Sequence, residues 1–494
     1  MPGSAEAAPA RVRRGLEIVP RPLAALILAT ALLGLMWALL VPPWQSPDEP
    51  QHFAYAESLA QRFALPGDKH RAAFSTAQGL ADSSVGAGRE AFYPAAVQPD
   101  WSSADYSRYK SEIRATSPSA SNGGGPNSAA VNPPLYYLYA DLAYWVSGGN
   151  SFDHLYAMQI WNVLLLVITV TAAWLLAGEV LGRRRVPQLA CAAVAGLLPI
   201  ESFIATSVNP DSLMVALWAL ALWLGARVIC RGGRRRDMVA LGLVTAGAVL
   251  TKATSYALVP AALLAILLAY QRCAKPRRRA LRRNVGLGLA ALAVPILAWL
   301  ALATALGRSA VNTIQPGPHP HPFNISQFLS YVWQFYLPRL PSMTLFRETP
   351  GLPVYDLWVK EGLGVFGWLD IGMPEWVYKV FAVAMAMIGV GGVALICRFR
   401  DRVRLELLAF FALGLVALLA GLHLTDYRAI IAGEPAVIQG RYLLPVLPLL
   451  GLTVGMIVTR LRASWRAPAT GALIGVLLVL QVLALATIGK AYYT

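Results

Sequence analysis

The chain has 494 residues, 56% hydrophobic and 14% charged, with 42 Lys+Arg against 26 Asp+Glu and a net charge of +16. Soluble domains run at about 45–50% apolar and about 25% charged, so the composition excludes an ordinary soluble enzyme, a disordered chain and a secreted disulfide scaffold, and points to a membrane protein. The basic residues stand in short clusters between long apolar runs, a pattern of membrane topology, and no nucleic-acid partner is expected.

A membrane-spanning helix needs about 20 apolar residues. Residues 22–41, 155–181, 187–206, 211–229, 285–306, 376–397, 405–424, 441–459 and 469–487 qualify. The longer stretch 238–270 is broken at Thr251-Lys252-Ala253-Thr254-Ser255 and reads as two helices, the first of them, 238–252, short. The expected fold is therefore an all-α integral membrane protein of about 11 spans, with a tail over residues 1–21 and a polytopic domain over 22–490. The first apolar run lacks a small-residue cleavage site and reads as a retained span.

Basic clusters lie at Arg11–Arg14, Arg183–Arg185, Arg231–Arg236, Arg272–Arg283, Arg398–Arg404 and Arg460–Arg466, all on one side in this count, which holds 26 of the 42 Lys+Arg. By the positive-inside rule that side, with the N-terminus, is cytoplasmic. Two large loops, residues 42–154 and 307–375, then face outward. In the first, residues 50–63 and 132–146 read as juxtamembrane helices, and the Ser-, Ala-, Gly- and Asn-rich part 67–130 reads as irregular and mobile. The four cysteines have no metal-knuckle spacing, and no structural disulfide is expected.

The most informative segment is Pro42-Pro43-Trp44-Gln45-Ser46-Pro47-Asp48-Glu49-Pro50-Gln51-His52-Phe53, directly after the first span. Two adjacent carboxylates at the outer membrane surface suit deprotonation of an acceptor hydroxyl while a lipid donor stays in the bilayer. The bland alternative is a helix start, with Ser46 as N-cap, Pro47 at the first position and Glu49 as capping-box acid. Arg441 opens a span on the outer side, where a guanidinium can grip a phosphate or merely snorkel to headgroups. Lys252, at the break in 238–270, is a second phosphate candidate or a surface turn lysine. Asp211 is either an N-cap for the fourth span or, with Asn209, a sugar or metal contact. His52 can share a helix face with Asp48, a pair of potential ligands that leaves a divalent cation such as Mg or Mn open. His319 and His321 read as an exposed loop pair. The second loop is rich in aromatics, among them Phe323, Trp333, Tyr336, Tyr355, Trp358, Phe366, Trp368 and Trp376, which serve sugar stacking or interface belts. Trp368 with Asp370 is the pair singled out there; Arg339 and Arg347 are further candidates for phosphate.

The segment around Asp48 resembles the signature of a family of bacterial polytopic membrane proteins of formerly unknown function that is similar to GT-C glycosyltransferases. Ser207-Val208-Asn209-Pro210-Asp211, Phe366-Gly367-Trp368-Leu369-Asp370 through Pro374, and Gln439-Gly440-Arg441-Tyr442-Leu443-Leu444-Pro445 match the same pattern, which spans about residues 40–450. The resemblance implies a GT-C-like helix bundle in a bacterial plasma membrane, with its active site on the extracytoplasmic face. It implies transfer of a sugar from a polyprenyl-phosphate donor to a cell-envelope glycan or lipid-linked acceptor, with inversion. It also implies Asp48 as base, with Glu49 as its orienting partner or replacement. By their own residue chemistry, Arg441 and Lys252 are placed at the donor phosphate, and His52, Asn209, Asp211, Trp368, Asp370, Gln439 and Tyr442 around the substrates. The rivals are a flippase for lipid-linked saccharides, a polymer ligase of similar topology and a non-catalytic subunit. A flippase would call for charges through the midplane or inverted repeats, and neither is seen in the sequence.

Overall fold

The computed structural model describes residues 19–86, 102–274, 276, 278–308, 322–346, 352–399 and 401–493. His319, His321, Arg347 and the N-terminal Arg11–Arg14 cluster lie outside them.

Among the described residues, nine helices are long and apolar enough to cross a membrane: Arg21–Leu40, Ser151–Val180, Pro210–Arg231, Ala253–Gln271, Arg278–Ala305, Glu375–Ile396, Arg402–Ile431, Gly440–Arg460 and Ala463–Tyr493. The run expected as one span at 187–206 is two helices, Arg185–Leu197 and Pro199–Ala205, bent by 59°. The cause is Pro199, which has no N–H to give back along the helix. The Leu197 carbonyl at the break accepts Gln481 Nε2 at 3.1 Å, and the same amide donates to Ser202 Oγ at 2.8 Å while Gln481 Oε1 accepts Trp37 Nε1 at 2.7 Å. A broken helix at membrane depth is tolerated only with its freed groups paired inside protein. The short helix expected near 238–252 is Arg235–Val249, 15 residues, packed along Arg278–Ala305 with Gly242 against the Gly288 carbonyl. Small residues let these two backbones approach.

Two apolar cores run through the bundle. One joins the Arg21–Leu40, Arg185–Leu197, Gly440–Arg460 and Ala463–Tyr493 helices, and the other joins Pro210–Arg231, Arg235–Val249, Ala253–Gln271 and Arg402–Ile431. A third, aromatic core (Trp44, Phe53, Tyr55, Tyr109, Tyr136, Tyr137, Tyr144, Phe152) lies in the segment between the first two spans.

The described part of that segment is more ordered than its composition suggests. The helices Thr76–Ser84 and Ser103–Thr116 each start on a serine cap: Ser75 Oγ accepts Gln78 N at 3.0 Å and Ser102 Oγ accepts Asp105 N at 3.2 Å. Gly123-Gly124-Gly125 is no flexible linker. It lies buried, backbone to backbone, against residues 71–75, with Gly125 N donating to the Ala72 carbonyl at 2.7 Å, and a side chain on Gly123 would collide with Ser75 N. The helix Glu49–Arg62 buries nearly everything up to Leu59, so it belongs to the aromatic core and is not an interfacial helix. Leu135–Val146 does show an apolar outer stripe, Leu138, Leu142, Trp145 and Val146. In the second loop, Ile325–Tyr336 buries Tyr331 and Phe335 and exposes Ile325, Leu329 and Trp333, the pattern of a helix lying in a membrane interface. A two-residue antiparallel hairpin, Val365–Phe366 with Ile371–Gly372, is the one departure from helix and loop among the described residues.

Four carboxyls are buried in the first segment: Glu49, Glu57, Asp82 and Asp141. Burial pushes Glu57 up to about 7, pushes Asp82, which also feels Glu57, up to about 8, and pushes Asp141 up to about 8. Raised carboxyls bind protons more tightly folded than unfolded. Their contribution is fully present below the unfolded carboxyl range and is lost as pH rises through 7 and 8. Thermal unfolding of this segment, followed by near-ultraviolet circular dichroism, is therefore expected to shift down between about pH 5 and about pH 8.5. Glu57→Gln with Asp82→Asn should flatten part of the shift, the rest coming from Glu49 and Asp141; an unchanged pH dependence would remove Glu57 and Asp82 as a cause.

Candidate active site

Asp48 sits at a forced backbone position. Its φ is 63° and that of Trp44 is 67°, both in the left-handed region, where Asp is better tolerated than most residues. The helix begins at Glu49 with Asp48 as its N-cap residue, but the Asp48 side chain makes no cap hydrogen bond. Pro50 falls in the first turn, where a missing N–H costs nothing. The start expected at Ser46-Pro47 is thus displaced, and the Asp48 carboxylate is left for other work.

That carboxylate accepts Arg441 Nη2 at 2.6 Å, from a residue 393 positions away. The Asp48 side chain is 43% exposed and that of Arg441 only 3%. Burial alone would raise the Asp48 pKa, but the Arg441 charge outweighs it, and the carboxyl titrates below the ordinary aspartate range. It is ionised at neutral pH. Arg441 Nη1 also donates to the Pro47 carbonyl at 3.4 Å, and Asn209 Nδ2 donates to the same oxygen at 3.2 Å.

Asn209 is the N-cap of Pro210–Arg231, accepting Asp211 N at 2.9 Å. The capping role weighed for Asp211 therefore falls to Asn209. Asp211, fully buried, accepts Lys252 Nζ at 2.6 Å through Oδ1 and faces Arg441 Nε at 3.6 Å through Oδ2. Neither Oδ2 nor Nε has a hydrogen-bond partner. Tyr442 lies under both cations, 4.8 Å from Lys252 Nζ and 5.5 Å from Arg441 Cζ. The result is a chain of alternating charge, Asp48–Arg441–Asp211–Lys252, drawn from four separate parts of the sequence. Its solvent-facing members are Asp48 and Lys252, the latter's side chain 17% exposed.

The other expected site residues surround this chain. Glu49 points inward and is fully buried; its Oε1 accepts Val208 N and Gln159 Nε2, each at 2.9 Å, and burial pushes its pKa up to about 7. It ties the loop before Asp48 to the turn before Asn209. His52 gives its Nδ1 to a hydrogen bond with Tyr137 Oη at 2.9 Å, and burial, against the pull of Asp48, pushes it down to about 3, so it is neutral. Trp368 stands on the hairpin turn and donates its indole N–H to the Trp44 carbonyl at 3.1 Å, bracing the loop that carries Asp48. Asp370 lies on the same turn, its N–H bonded to the Phe366 carbonyl at 3.2 Å. Gln439 precedes the 3₁₀ turn Gly440–Val446, with its Oε1 buried and unpartnered. Next to it, Gly440 N donates to Glu361 Oε2 at 2.6 Å. Any side chain at Gly440 would strike the Leu357 carbonyl and Glu361, so Gly440→Val should displace Arg441 from Asp48 with helix content retained, read as an upward shift of the Asp48 titration. Arg339 bonds the Met343 carbonyl at 2.9 Å in an exposed turn and is not shown with this group.

Gln159, Tyr137, Glu361 and the Pro47 carbonyl were not singled out from the sequence. A buried glutamine on a membrane helix was the one available signal. Among the described residues no three His, Cys, Asp or Glu side chains converge as a metal site. Asp48 Oδ2 is engaged by Arg441 and His52 Nδ1 by Tyr137.

Fold and site together define a multi-pass, helical membrane protein with a partly buried chain of charged residues linking the segment after its first span to the mouths of later helices. The chain belongs to the family described as "Predicted membrane protein (DUF2142)", whose model matches residues 31–450. No curated protein matches it in sequence. Its fold resembles GT-C membrane glycosyltransferases of solved structure. ArnT from Cupriavidus metallidurans, solved with undecaprenyl phosphate, shares 14% identity over 98% of this chain and 76% of that chain, with a TM-score of 0.44. The Archaeoglobus fulgidus oligosaccharyltransferase in its apo form shares 12% over 96% of this chain and 56% of its own, with a TM-score of 0.47. Arabinosyltransferase EmbB from Mycobacterium smegmatis shares 13% over 99% of this chain and 42% of its own, with a TM-score of 0.39. The chain thus spans three quarters of ArnT and about half or less of the other two.

Proposed function

We propose that this protein transfers a sugar from a polyprenyl-phosphate donor to a hydroxyl of a cell-envelope glycan or lipid-linked acceptor, at the extracytoplasmic face of a bacterial plasma membrane. The observation that supports it best is the Asp48–Arg441 pair: a carboxylate kept ionised by a buried guanidinium, half open to solvent, at the bundle end where lipid and water meet. In this reading the N-terminus is cytoplasmic and residues 42–154 and 307–375 lie outside.

Asp48 takes the proton of the acceptor hydroxyl as its oxygen bonds the anomeric carbon. The bond from that carbon to the phosphate oxygen breaks, and the lipid monophosphate leaves with the electron pair. A single displacement inverts the anomeric centre. Lys252 is the cation the donor phosphate meets first, and Arg441, held between Asp48 and Asp211, keeps Asp48 in line and adds its positive field to the developing charge. Glu49, Asn209, Trp368 and Gln439 place these groups, and His52 serves as a neutral neighbour of the acceptor.

The test is transfer by the full chain in proteoliposomes, from a panel of polyprenyl-phosphate sugars to extracted envelope glycans and lipids. Transfer with an inverted anomeric signal by nuclear magnetic resonance supports the reading. Movement of the intact donor between leaflets without transfer makes the protein a flippase and sinks it.

A further inference from the structure

The end of the bundle opposite Asp48 carries a second site. The Ser151–Val180 helix leaves the first outer segment at Ser151 and, at about 1.5 Å per residue, reaches the far side of the bilayer at Val180. The Gly440–Arg460 helix likewise begins beside Asp48 and ends at Arg460 on that far side. Between the far ends of these two helices and those of Glu375–Ile396 and Arg402–Ile431 lies a cavity of about 350 Å³. Its walls include Leu395, Leu408, Phe411, Leu452 and Met456, and its rim carries Arg184, Arg404 and Arg460.

The rim arginines differ from their neighbours. At the same end of the bundle, Arg227 pairs with Asp237 at 2.9 Å, Arg231 with Glu179, Arg272 with Glu406 at 3.2 Å and Arg402 with Glu406 at 2.9 Å. Arg184, Arg404 and Arg460 are exposed, and none has a carboxylate partner among the described residues. Arg404 stands 5.7 Å over the Phe399 ring; of the acids near it in sequence, Glu406 pairs with Arg272 and Arg402, and Asp401 caps Val403 N at 2.8 Å. A cleft with an apolar wall (Leu395, Leu408, Phe411, Leu452, Met456) beside three guanidinium groups that have no carboxylate partner among the described residues is complementary to one kind of molecule: an anion with a hydrocarbon tail.

We propose that this cavity binds an anionic diacyl phospholipid of the leaflet opposite the Asp48 site, its phosphodiester held by Arg184, Arg404 and Arg460 and one acyl chain laid into the cleft. The site touches four helices, two of which contribute the second-loop and Arg441 ends of the candidate active site, so its occupant fastens the bundle from behind. A cavity of this volume lies within the range of small-molecule sites, about 300–1,000 Å³.

The probe is phosphatidylglycerol against phosphatidylcholine, added to the delipidated full chain and read by native mass spectrometry. Phosphatidylglycerol is expected to bind at least about tenfold tighter. Changing all three arginines to Gln is expected to weaken it on the order of 100-fold, from about fivefold per arginine near an anionic surface. Met456→Trp, which fills the cleft and leaves every charge in place, should weaken phosphatidylglycerol binding as well. The wild-type chain supplies a readout that needs no variant: a photoreactive acyl chain on phosphatidylglycerol should label peptides 395–411 and 449–460. Equal binding of the two lipids, unchanged binding in both variants, labelling elsewhere, or displacement by glycerol phosphate lacking acyl chains would each overturn the proposal. Preference for a polyprenyl phosphate over phosphatidylglycerol would overturn it too.

Discussion

Asp48→Asn is expected to lower sugar transfer by about 10²- to 10⁴-fold, the usual worth of a general base, with little change in folding. Asn is the right replacement because the backbone at Asp48 is left-handed, with φ 63°, a conformation Asn accepts as readily as Asp. Alanine would add backbone strain and confuse the two effects. The pH profile separates base from bystander. With the Asp48 pKa held low by Arg441, wild-type transfer should lose activity only at pH below the ordinary aspartate range. Arg441→Gln should move that acid limb upward, because it removes the charge that favours the carboxylate. A wild-type rate in Asp48→Asn, measured as initial transfer in proteoliposomes, would return Asp48 to a purely structural role.

Asp211→Asn is expected to be the most destabilising single change in the site, by about 3–5 kcal/mol. Asp211 is fully buried between Lys252 and Arg441, and its loss leaves two cations facing each other in an enclosed space. Adding Lys252→Met to Asp211→Asn should recover part of the loss, since the orphaned charge goes with it. Equilibrium unfolding of the two variants in lipid bicelles measures both. A single-variant cost under about 1 kcal/mol would mean that water already reaches Asp211 and screens the pair. In that case the charge chain orients the site without stabilising the fold.

The membrane character of the chain was legible in its residues because a span needs only length and apolarity, which are local properties. Arg21–Leu40, Pro210–Arg231 and Ala463–Tyr493 lie where the apolar runs put them. The break in 238–270 was legible too, since Lys252 cannot sit quietly in an apolar helix. Serine caps at Ser75 and Ser102 were present in the segment between the first two spans, but the surrounding Ser, Gly and Asn masked two helices and made a tightly packed glycine strip look like linker. Glycine serves flexibility and close backbone approach alike, and only the neighbour tells which.

For the site, the motifs marked the right stretches but not the right atoms. Asp48 and Glu49 are equivalent in sequence. The left-handed turn at Asp48 sends one carboxylate to Arg441 and solvent and the next to Val208 and Gln159 in the interior. Asp211 read as a cap until Asn209 took that role and left its carboxylate to two cations. Lys252 could have been a surface lysine until the packing of Ala253–Gln271 against Pro210–Arg231 set it on Asp211. Local chemistry determined that this chain is a membrane bundle with polar motifs at its helix mouths. Which charges meet was decided by tertiary structure alone, because an ion pair between residues 393 positions apart depends on how the helices pack and on no local signal.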